Sequence, residues 1–225
     1  AALFNLLRLF LLMNPQEAEL IGAHVGDGTL YKTAWSLVWE LRGDLKEREY
    51  YEDYLVPLLK SVFGEEFPVK FRSGGPNGCL GFQLARKSVT GWFLKQGFFP
   101  GKKSRTVRIP EKVMQGSPDI QYGFIRGLFD TDGCLWFDQK GRRNCYPQLE
   151  VCSASPLLIE DLCCLLNRIP LRHYTWISRE STHIRITGEL NLHFWMRNIR
   201  PGNPKHSNKY TQFISRHQND SIASN

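Results

Sequence analysis

The sequence predicts an α+β fold made of two pseudo-symmetric units, each with the element order α-β-β-α-β-β-α. A nine-residue motif at residues 20–28 recurs at residues 125–133, with Gly third, a small residue seventh, Asp eighth and Gly ninth in each copy. The two motif aspartates, Asp27 and Asp132, lie 105 positions apart. The elements predicted after each copy follow the same order. We therefore expect two units of similar length, each with a four-stranded antiparallel sheet.

Each motif is predicted to be a helix that ends at its Asp-Gly pair. The third and seventh places are four residues apart and share one helix face. In the two copies that face consists of Gly22 with Gly26, and of Gly127 with Thr131. Small residues let two helix backbones approach closely, so we expect the two faces to join the units. This packing would bring the two motif aspartates together at one end.

The first unit is predicted to begin at a helix cap formed by residues 14–17, where Asn, Pro and Glu occupy favourable positions. Alternation predicts a strand over residues 35–42, with Trp35, Leu37, Trp39 and Leu41 on one side. The remaining predictions are a strand from residue 29, a helix at 46–63, a hairpin at 69–73 and 80–86, a helix at 88–95 and a basic loop at 100–105.

The second unit repeats this order after a cap at residues 117–119. Its predicted elements are strands near 135–137 and 148–152, a helix at 156–167, a hairpin at 172–178 and 183–187, and a helix at 190–197. A loop at 201–209 then echoes the basic loop of the first unit. The predicted boundaries are an N-terminal helix packed on the core at 1–13, the two units at 14–116 and 117–215, and a frayed polar tail at 216–225.

The composition favours a reduced protein with a polyanionic partner. The net charge is +7, and the six cysteines form no C-x-x-C pair. We therefore expect neither a disulfide framework nor a structural zinc site. Reduced cysteines of this kind indicate an intracellular location. The apolar start is too short to span a bilayer and lacks a basic leader. We expect no membrane contact.

The polar side of the predicted sheets carries the side-chain types that contact phosphates and base edges. We predict that the two sheets form a DNA-binding saddle. Its candidate residues are Lys32, Ser36, Glu40, Arg42, Lys70, Arg72, Gln83, Arg86, Lys140, Arg142, Arg143, Gln148, Arg172, Tyr174, Arg179, His183 and Arg185.

The doubled motif resembles the dodecapeptide of the LAGLIDADG homing endonucleases, in their single-chain form with two motifs. The resemblance covers residues 14–213, although Ala23, His24 and Arg126 depart from the usual pattern. It implies a monomer that cuts a long double-stranded DNA site and leaves 3′ overhangs. It also implies a divalent cofactor, Mg²⁺ or Mn²⁺, with Ca²⁺ as a non-productive substitute. His24 is interpreted as a polar residue on the helix flank.

The acidic pair agrees with this chemistry. Carboxylates at helix C-termini oppose the helix dipoles and each other, and a hard cation would relieve both effects. We predict Asp27 and Asp132 as catalytic metal ligands, with Gly26 and Thr131 as the other two residues of the metal site. In family terms Lys103 and Lys209 are the predicted bases or transition-state partners, with Lys102 and Lys205 as alternatives in register. Plain phosphate contact is the other interpretation of these lysines.

Parts of the sequence also resemble motifs of other protein classes. Residues 129–133 resemble the start of a haloacid-dehalogenase phosphatase, but that motif requires a buried strand and leaves the second copy unexplained. An EF-hand does not fit, because the loop turns too early at Gly133. A maturase that binds intron RNA, or a DNA-binding regulator, could use the same fold without cutting. We expect an intron-encoded or free-standing protein, since an intein would start with Cys or Ser and end with His-Asn.

Overall fold

The structure of the chain is a computed structural model that describes residues 13–72, 78–140 and 144–222. The first part contains α1 (Pro15–Gly26), β1 (Thr29–Lys32), β2 (Leu37–Gly43), a 3₁₀ turn (Leu45–Glu47), a π-helical turn (Tyr50–Leu55), α2 (Val56–Phe63), β3 (Lys70–Arg72), β4 (Cys79–Leu84) and α3 (Lys87–Lys95). The second part contains α4 (Glu111–Met114), α5 (Pro118–Asp132), β5 (Gly133–Lys140), β6 (Asn144–Ser153), α6 (Pro156–Leu166), β7 (His173–Ser178), β8 (Ser181–Thr187), α7 (Glu189–Asn198) and α8 (Pro204–Ile222).

The described strands form two four-stranded sheets with the same topology. Their orders are β1-β2-β4-β3 and β5-β6-β8-β7. All neighbouring strands are antiparallel. The predicted fold class, two repeated α+β units, is confirmed. The predicted N-terminal helix lies outside the described residues except for Met13, and so do Arg142 and Arg143.

The start of α1 follows from its cap. The backbone N–H of Glu17 donates to Asn14 Oδ1 at 2.8 Å, and the N–H of Asn14 donates to Glu17 Oε2 at the same distance. Pro15 occupies the first turn, where its missing N–H costs nothing. The capping box predicted from the sequence is present.

The strand predicted at residues 35–42 starts two residues later, at Leu37. The hydroxyl of Thr33 accepts from the Ser36 N–H at 3.0 Å and closes a turn before the strand. Trp35 lies in that turn and is 95% exposed, so its predicted place on the apolar side is wrong. Trp39 and Leu41 are buried as predicted.

The helix predicted at residues 46–63 has three different segments. The N–H of Val56 bonds to the carbonyl of Tyr51, five residues back, as in a π-turn. Pro57 has no N–H to continue the α-helical pattern, which gives a reason for the break. Regular helix then ends at Gly64, whose φ of 73° is the left-handed conformation that stops a helix.

The C-terminal helix α8 was missed by the sequence analysis, which predicted a loop and a frayed tail. Its start is embedded in the core through His206 and Phe213, both buried. The Phe213 ring stacks on Phe137 of β5 with centroids 5.0 Å apart. A few buried residues in a polar stretch are a weak periodic signal, so tertiary packing decides this element. Among the described residues, no helix is long and apolar enough to cross a membrane.

Candidate active site

Helices α1 and α5 pack so closely that glycine is required at their contact. A Cβ atom on Gly22 would overlap the carbonyl oxygen of Phe124 and lie 2.8 Å from the backbone nitrogen of Leu128. A Cβ atom on Gly127 would overlap the carbonyl oxygen of Glu19. The small-residue face predicted from the motif is thus the face at which the two helices meet.

The same contact brings the two motif aspartates together. Asp27 follows α1 directly, and Asp132 is the last residue of α5. A Cβ atom on Gly26 would lie 3.3 Å from the carboxyl carbon of Asp132 and 3.0 Å from Cβ of Thr131. Both aspartates are exposed, so solvent and solutes reach them.

The environment of the pair disfavours two negative charges. Desolvation by the protein atoms around its carboxyl group, followed by the charges of Asp132 and Glu47, raises the pKa of Asp27 to about 6, although part of the side chain reaches solvent. Burial also raises the pKa of Asp132, although Lys103 and Lys205 oppose this effect. The two carboxylates therefore gain stability when positive charge is added between or beside them.

Two lysines, one from each unit, supply positive charge at this place. The Lys103 ammonium donates to the carbonyl oxygens of Val25 at 2.5 Å and Gly26 at 2.9 Å, at the end of α1. Lys205 donates to the carbonyl oxygen of Thr131 at 3.4 Å, at the end of α5. Desolvation lowers the pKa of Lys103 to about 8, against the opposing charges of Asp132 and Asp27.

Lys209 and Lys102, the other lysines considered from the sequence, lie differently. The Lys209 ammonium donates to the carbonyl oxygen of Leu135 in β5 at 2.8 Å, and Lys102 is exposed on its loop. The structure thus brings Lys103 and Lys205 to the acidic pair. Lys205 was the alternative in register, and Lys209 the residue preferred from the sequence.

Glu47 and Asn203 complete the site and were missed by sequence reasoning. Glu47 Oε1 accepts from the Lys205 ammonium and from Asn203 Nδ2, each at 2.9 Å. Asn203 also donates to the carbonyl oxygen of Asp130 at 3.0 Å. The only sequence signal for Glu47 was its place three residues after Asp44, which forms the cap of a 3₁₀ turn.

A buried polar group behind the site holds the segment before α8, the helix whose first turn carries Lys205. Asp130 Oδ2 accepts from the Gly202 N–H at 2.7 Å, and burial raises the pKa of Asp130 to about 8. One turn earlier, the Arg126 guanidinium donates to the Ile199 carbonyl oxygen at 2.6 Å and to Glu19 Oε2 at 2.8 Å. Arg126 therefore has a structural task that accounts for its departure from the usual motif.

His24 does not lie on an exposed helix flank as predicted. It is 1% exposed, and its Nδ1 accepts from the Trp39 indole at 3.2 Å. Its ring packs against Phe93 and Phe98 with centroids 4.6 and 4.5 Å away. Desolvation keeps the pKa of His24 well below its ordinary value, so this residue is a neutral part of the core.

The outer face of each sheet, opposite its helices, holds part of the predicted DNA-binding set. Strand register places there Glu40, Arg42, Lys70, Arg72 and Gln83 of the first sheet, and Gln148, Tyr174, His183 and Arg185 of the second. Gln148 is buried, with no hydrogen-bond partner for its Oε1.

The other predicted DNA-binding residues lie elsewhere. Lys32 falls on the helix side of β1, at its exposed end, and Ser36 lies in the turn before β2. Arg86 lies beyond β4, paired with Glu65 at 3.0 Å. Arg172 and Arg179 flank β7 and are exposed, and Lys140 ends β5. Alternation within a strand correctly predicts which residues lie on the outer face of the sheet. It does not predict the position of residues at or beyond the ends of a strand.

The aromatic and acidic members of the second outer face were missed. Glu150 faces Arg185, and Trp136 and Trp176 lie beside the guanidinium. Counting alternate residues along β5 and β7 would have found both tryptophans.

Comparisons with known proteins agree with this architecture. The family model of the LAGLIDADG-like domain matches residues 119–200. The homing endonuclease I-DmoI in complex with DNA and Ca has a TM-score of 0.60 and 16% identity, with 88% of this chain and 97% of that chain covered. The chain has the LAGLIDADG homing-endonuclease fold. The meganuclease I-SmaMI bound to uncleavable DNA, at 13% identity and with 92% of each chain covered, has a TM-score of 0.58.

Other I-DmoI structures with this fold contain DNA and Mn, or target DNA in the presence of Mg. A segment of the glutamine–fructose-6-phosphate aminotransferase of Methanocaldococcus jannaschii is also similar, with 26% identity over 177 residues. That match covers 78% of this chain and 15% of the aminotransferase. The LAGLIDADG fold of this chain gives no reason to carry the aminotransferase activity over.

Proposed function

We propose that the chain is a site-specific endonuclease that hydrolyses both strands of a long DNA target and leaves 3′ overhangs. The observation that carries this proposal is the exposed acidic pair, Asp27 and Asp132, at the ends of two closely packed helices. A protein that only binds nucleic acid gains nothing from two adjacent carboxylates whose pKa values are both raised by desolvation, with the charge of Asp132 raising that of Asp27 further. In a hydrolase that uses divalent cations, the two carboxylates would serve as ligands of the metal ion.

The residues present fit a hard divalent cation. Among the described residues, no three His, Cys, Asp or Glu side chains are grouped as a complete metal site. Magnesium commonly uses one or two carboxylates and takes its other ligands from water and substrate phosphate. Asp27 and Asp132 would hold the cation, with the Gly26 and Thr131 carbonyl oxygens next to them. When bound, such an ion would activate water and neutralise charge on the scissile phosphate.

The lysines provide the remaining chemistry in this proposal. Lys103 and Lys205 each place an ammonium group at the end of one motif helix. In this proposal each lysine assists the cleavage of one DNA strand. An ammonium there stabilises the charge that develops on a phosphodiester, and a lysine of lowered pKa can also exchange a proton near neutral pH. Glu47 and Asn203 position Lys205. Because one chain contains both halves of the site, we propose that it acts as a monomer.

The test is cleavage of a plasmid library of candidate target sites with Mg²⁺, Mn²⁺ or Ca²⁺. We expect the wild type to cut with Mg²⁺ or Mn²⁺, and sequencing of the ends to give 3′ overhangs. Asp27→Asn and Asp132→Asn should each abolish double-strand cutting while they retain duplex binding. Intact double-strand cutting by Asp27→Asn would contradict the role of that carboxylate. Absence of cutting together with tight RNA binding would favour a maturase instead.

A further inference from the structure

Arg185 lies at the centre of the second outer face, fixed by three hydrogen bonds. In register it faces Glu150 on β6 and Tyr174 on β7. Its Nε and Nη2 atoms donate to Glu150 Oε2 at 2.8 and 2.6 Å, and Nη1 donates to the Tyr174 hydroxyl at 3.3 Å. An arginine held in this way loses little further side-chain entropy when it binds a ligand.

Two tryptophans also confine the guanidinium. Its central carbon lies 4.4 Å from the ring centroid of Trp176 and 4.8 Å from that of Trp136. Trp136 belongs to β5 and Trp176 to β7, which are the two edge strands of this sheet. The arginine side chain is still 26% exposed. It is therefore oriented before binding and remains open to solvent.

The hydrogen bonds leave one edge of the guanidinium available. Glu150 occupies the edge formed by Nε and Nη2, and an arginine has five N–H groups in all. Nη1 gives one of its two N–H groups to Tyr174, so one N–H on Nη1 and one on Nη2 remain to donate to a pair of acceptors. Guanine presents a matching pair of acceptors, O6 and N7, in the major groove. A phosphate fits less well, because the Glu150 carboxylate already neutralises the positive charge of the Arg185 guanidinium.

We propose that Arg185 is a guanine reader that determines one base pair in the half-site bound by the second unit, with Glu150 as its positioning residue. This inference rests on the proposed DNA-cutting function and makes its substrate more specific. The expected target has a guanine at one defined position on that side.

The first unit differs at the equivalent place, which predicts an asymmetric target. Glu40 is the equivalent of Glu150. Each of these glutamates pairs with the residue two positions after its motif aspartate, Thr29 for Glu40 and Cys134 for Glu150. On the neighbouring strand, Arg185 pairs with Glu150 in the second sheet, whereas Gln83 pairs with Glu40 in the first. Gln83 is therefore the equivalent of Arg185. Gln83 donates to the Tyr31 hydroxyl at 2.7 Å. A glutamine amide does not select guanine as an arginine does, so the symmetric position should lack this preference.

The experiment uses the full chain to select duplexes from a randomised DNA library. The bound duplexes and the duplexes cleaved with Mg²⁺ are sequenced separately. We expect the Arg185→Gln variant to lose a guanine preference of about tenfold or more at one position, with the other half-site unchanged. The matched control, Gln83→Ala, should alter only the first half-site. Glu150→Gln keeps the shape of the side chain and should weaken the same guanine preference, which provides a second reading if Arg185→Gln folds poorly.

Salt dependence separates base reading from phosphate contact. If Arg185 reads a base, the slope of log affinity against log salt should be the same in Arg185→Gln as in the wild type. A slope that falls by about one, with an unaltered base profile, would identify a phosphate contact and overturn the inference. A profile unchanged in both Arg185→Gln and Glu150→Gln would also overturn it.

The two proposals fail in different ways. A wild type that binds duplex DNA without cutting would contradict the endonuclease function, while the binding profile would still judge Arg185. Retention of single-stranded RNA in preference to every duplex would contradict both.

Discussion

The Lys205 ammonium donates to Glu47 Oε1 at 2.9 Å, although the two residues are 158 positions apart in the chain. The first turn of α8 in the second unit thereby contacts the 3₁₀ turn of the first unit, next to Asp27 and Asp132. Lys205 is held both by this carboxylate and by the carbonyl oxygen of Thr131. This relationship identifies which lysine of the second unit belongs to the acidic pair.

We expect Lys205→Met to slow DNA cleavage by about 10²- to 10³-fold, the usual loss when a group that stabilises charge in the transition state is removed. Lys209→Met is the matched control, because its ammonium contacts Leu135 instead. Single-turnover cleavage at saturating protein measures the chemical step for both variants. A larger loss in Lys209→Met than in Lys205→Met would show that the sequence-based choice of Lys209 was the better one.

The helix contact predicts a strong sensitivity to a single methyl group. Gly22→Ala and Gly127→Ala place a Cβ atom against backbone oxygen of the other helix, so we expect a loss of about 1–3 kcal/mol in the free energy of unfolding. Gly91→Ala in α3 is the control, since a Cβ atom there meets nothing within 4 Å. Helix propensity alone should make this control neutral or slightly stabilising. Urea denaturation compares the three variants, and equal effects would contradict the close-packing argument.

The doubled motif made much of the fold predictable. Small residues spaced four apart and followed by Asp-Gly indicate both the helix contact and the acidic ends, because these depend on local geometry. The strand alternation around Trp39 also located the core side of β2. Such patterns need no knowledge of distant parts of the chain.

The remaining features depend on distant contacts. Glu47 reaches the site through Lys205 and Asn203 of the other unit, and α8 gains its order from packing under β5. Trp35 was misplaced because a local bond between Thr33 and Ser36 forms a turn there, so the strand begins only at Leu37. Side-chain competition of this kind leaves the apolar alternation intact in the sequence while it changes the structure.

The segment between the units is held by Asp161 of α6. This carboxylate accepts from Arg108 Nε at 3.1 Å, from Arg108 Nη2 at 2.8 Å and from the Ile109 N–H at 3.0 Å. Asp161→Ala leaves the buried Ile109 N–H without its partner, so we expect a loss of about 1–3 kcal/mol. The exposed neighbour Glu160→Ala is the control and should be nearly neutral. Equal urea midpoints for the two variants would rule out this role for Asp161.

Asp130 predicts how stability depends on pH. Its pKa is raised to about 8, from an ordinary value of 3.8, by burial against the loop at Gly202. Between these values the folded chain keeps a proton that the unfolded chain releases. Stability should therefore fall as the pH rises towards 8, by about 1.4 kcal/mol per pH unit.

The range from pH 6.5 to 8 isolates this effect. Burial lowers the pKa of His206 to about 3 from 6.5, so this histidine weakens the fold only as the pH drops below 6.5. Lys103, with a pKa of about 8, begins to release its proton at the upper end of that range, in the wild type and in Asp130→Asn alike. Asp130→Asn removes the titrating group, although its amide adds a cost that does not depend on pH. We expect the free energy of unfolding to decline more steeply from pH 6.5 to 8 in the wild type than in Asp130→Asn. Parallel curves would mean that Asp130 is ionised in the fold at neutral pH, with Gly202 and Asn203 sufficient to stabilise its charge.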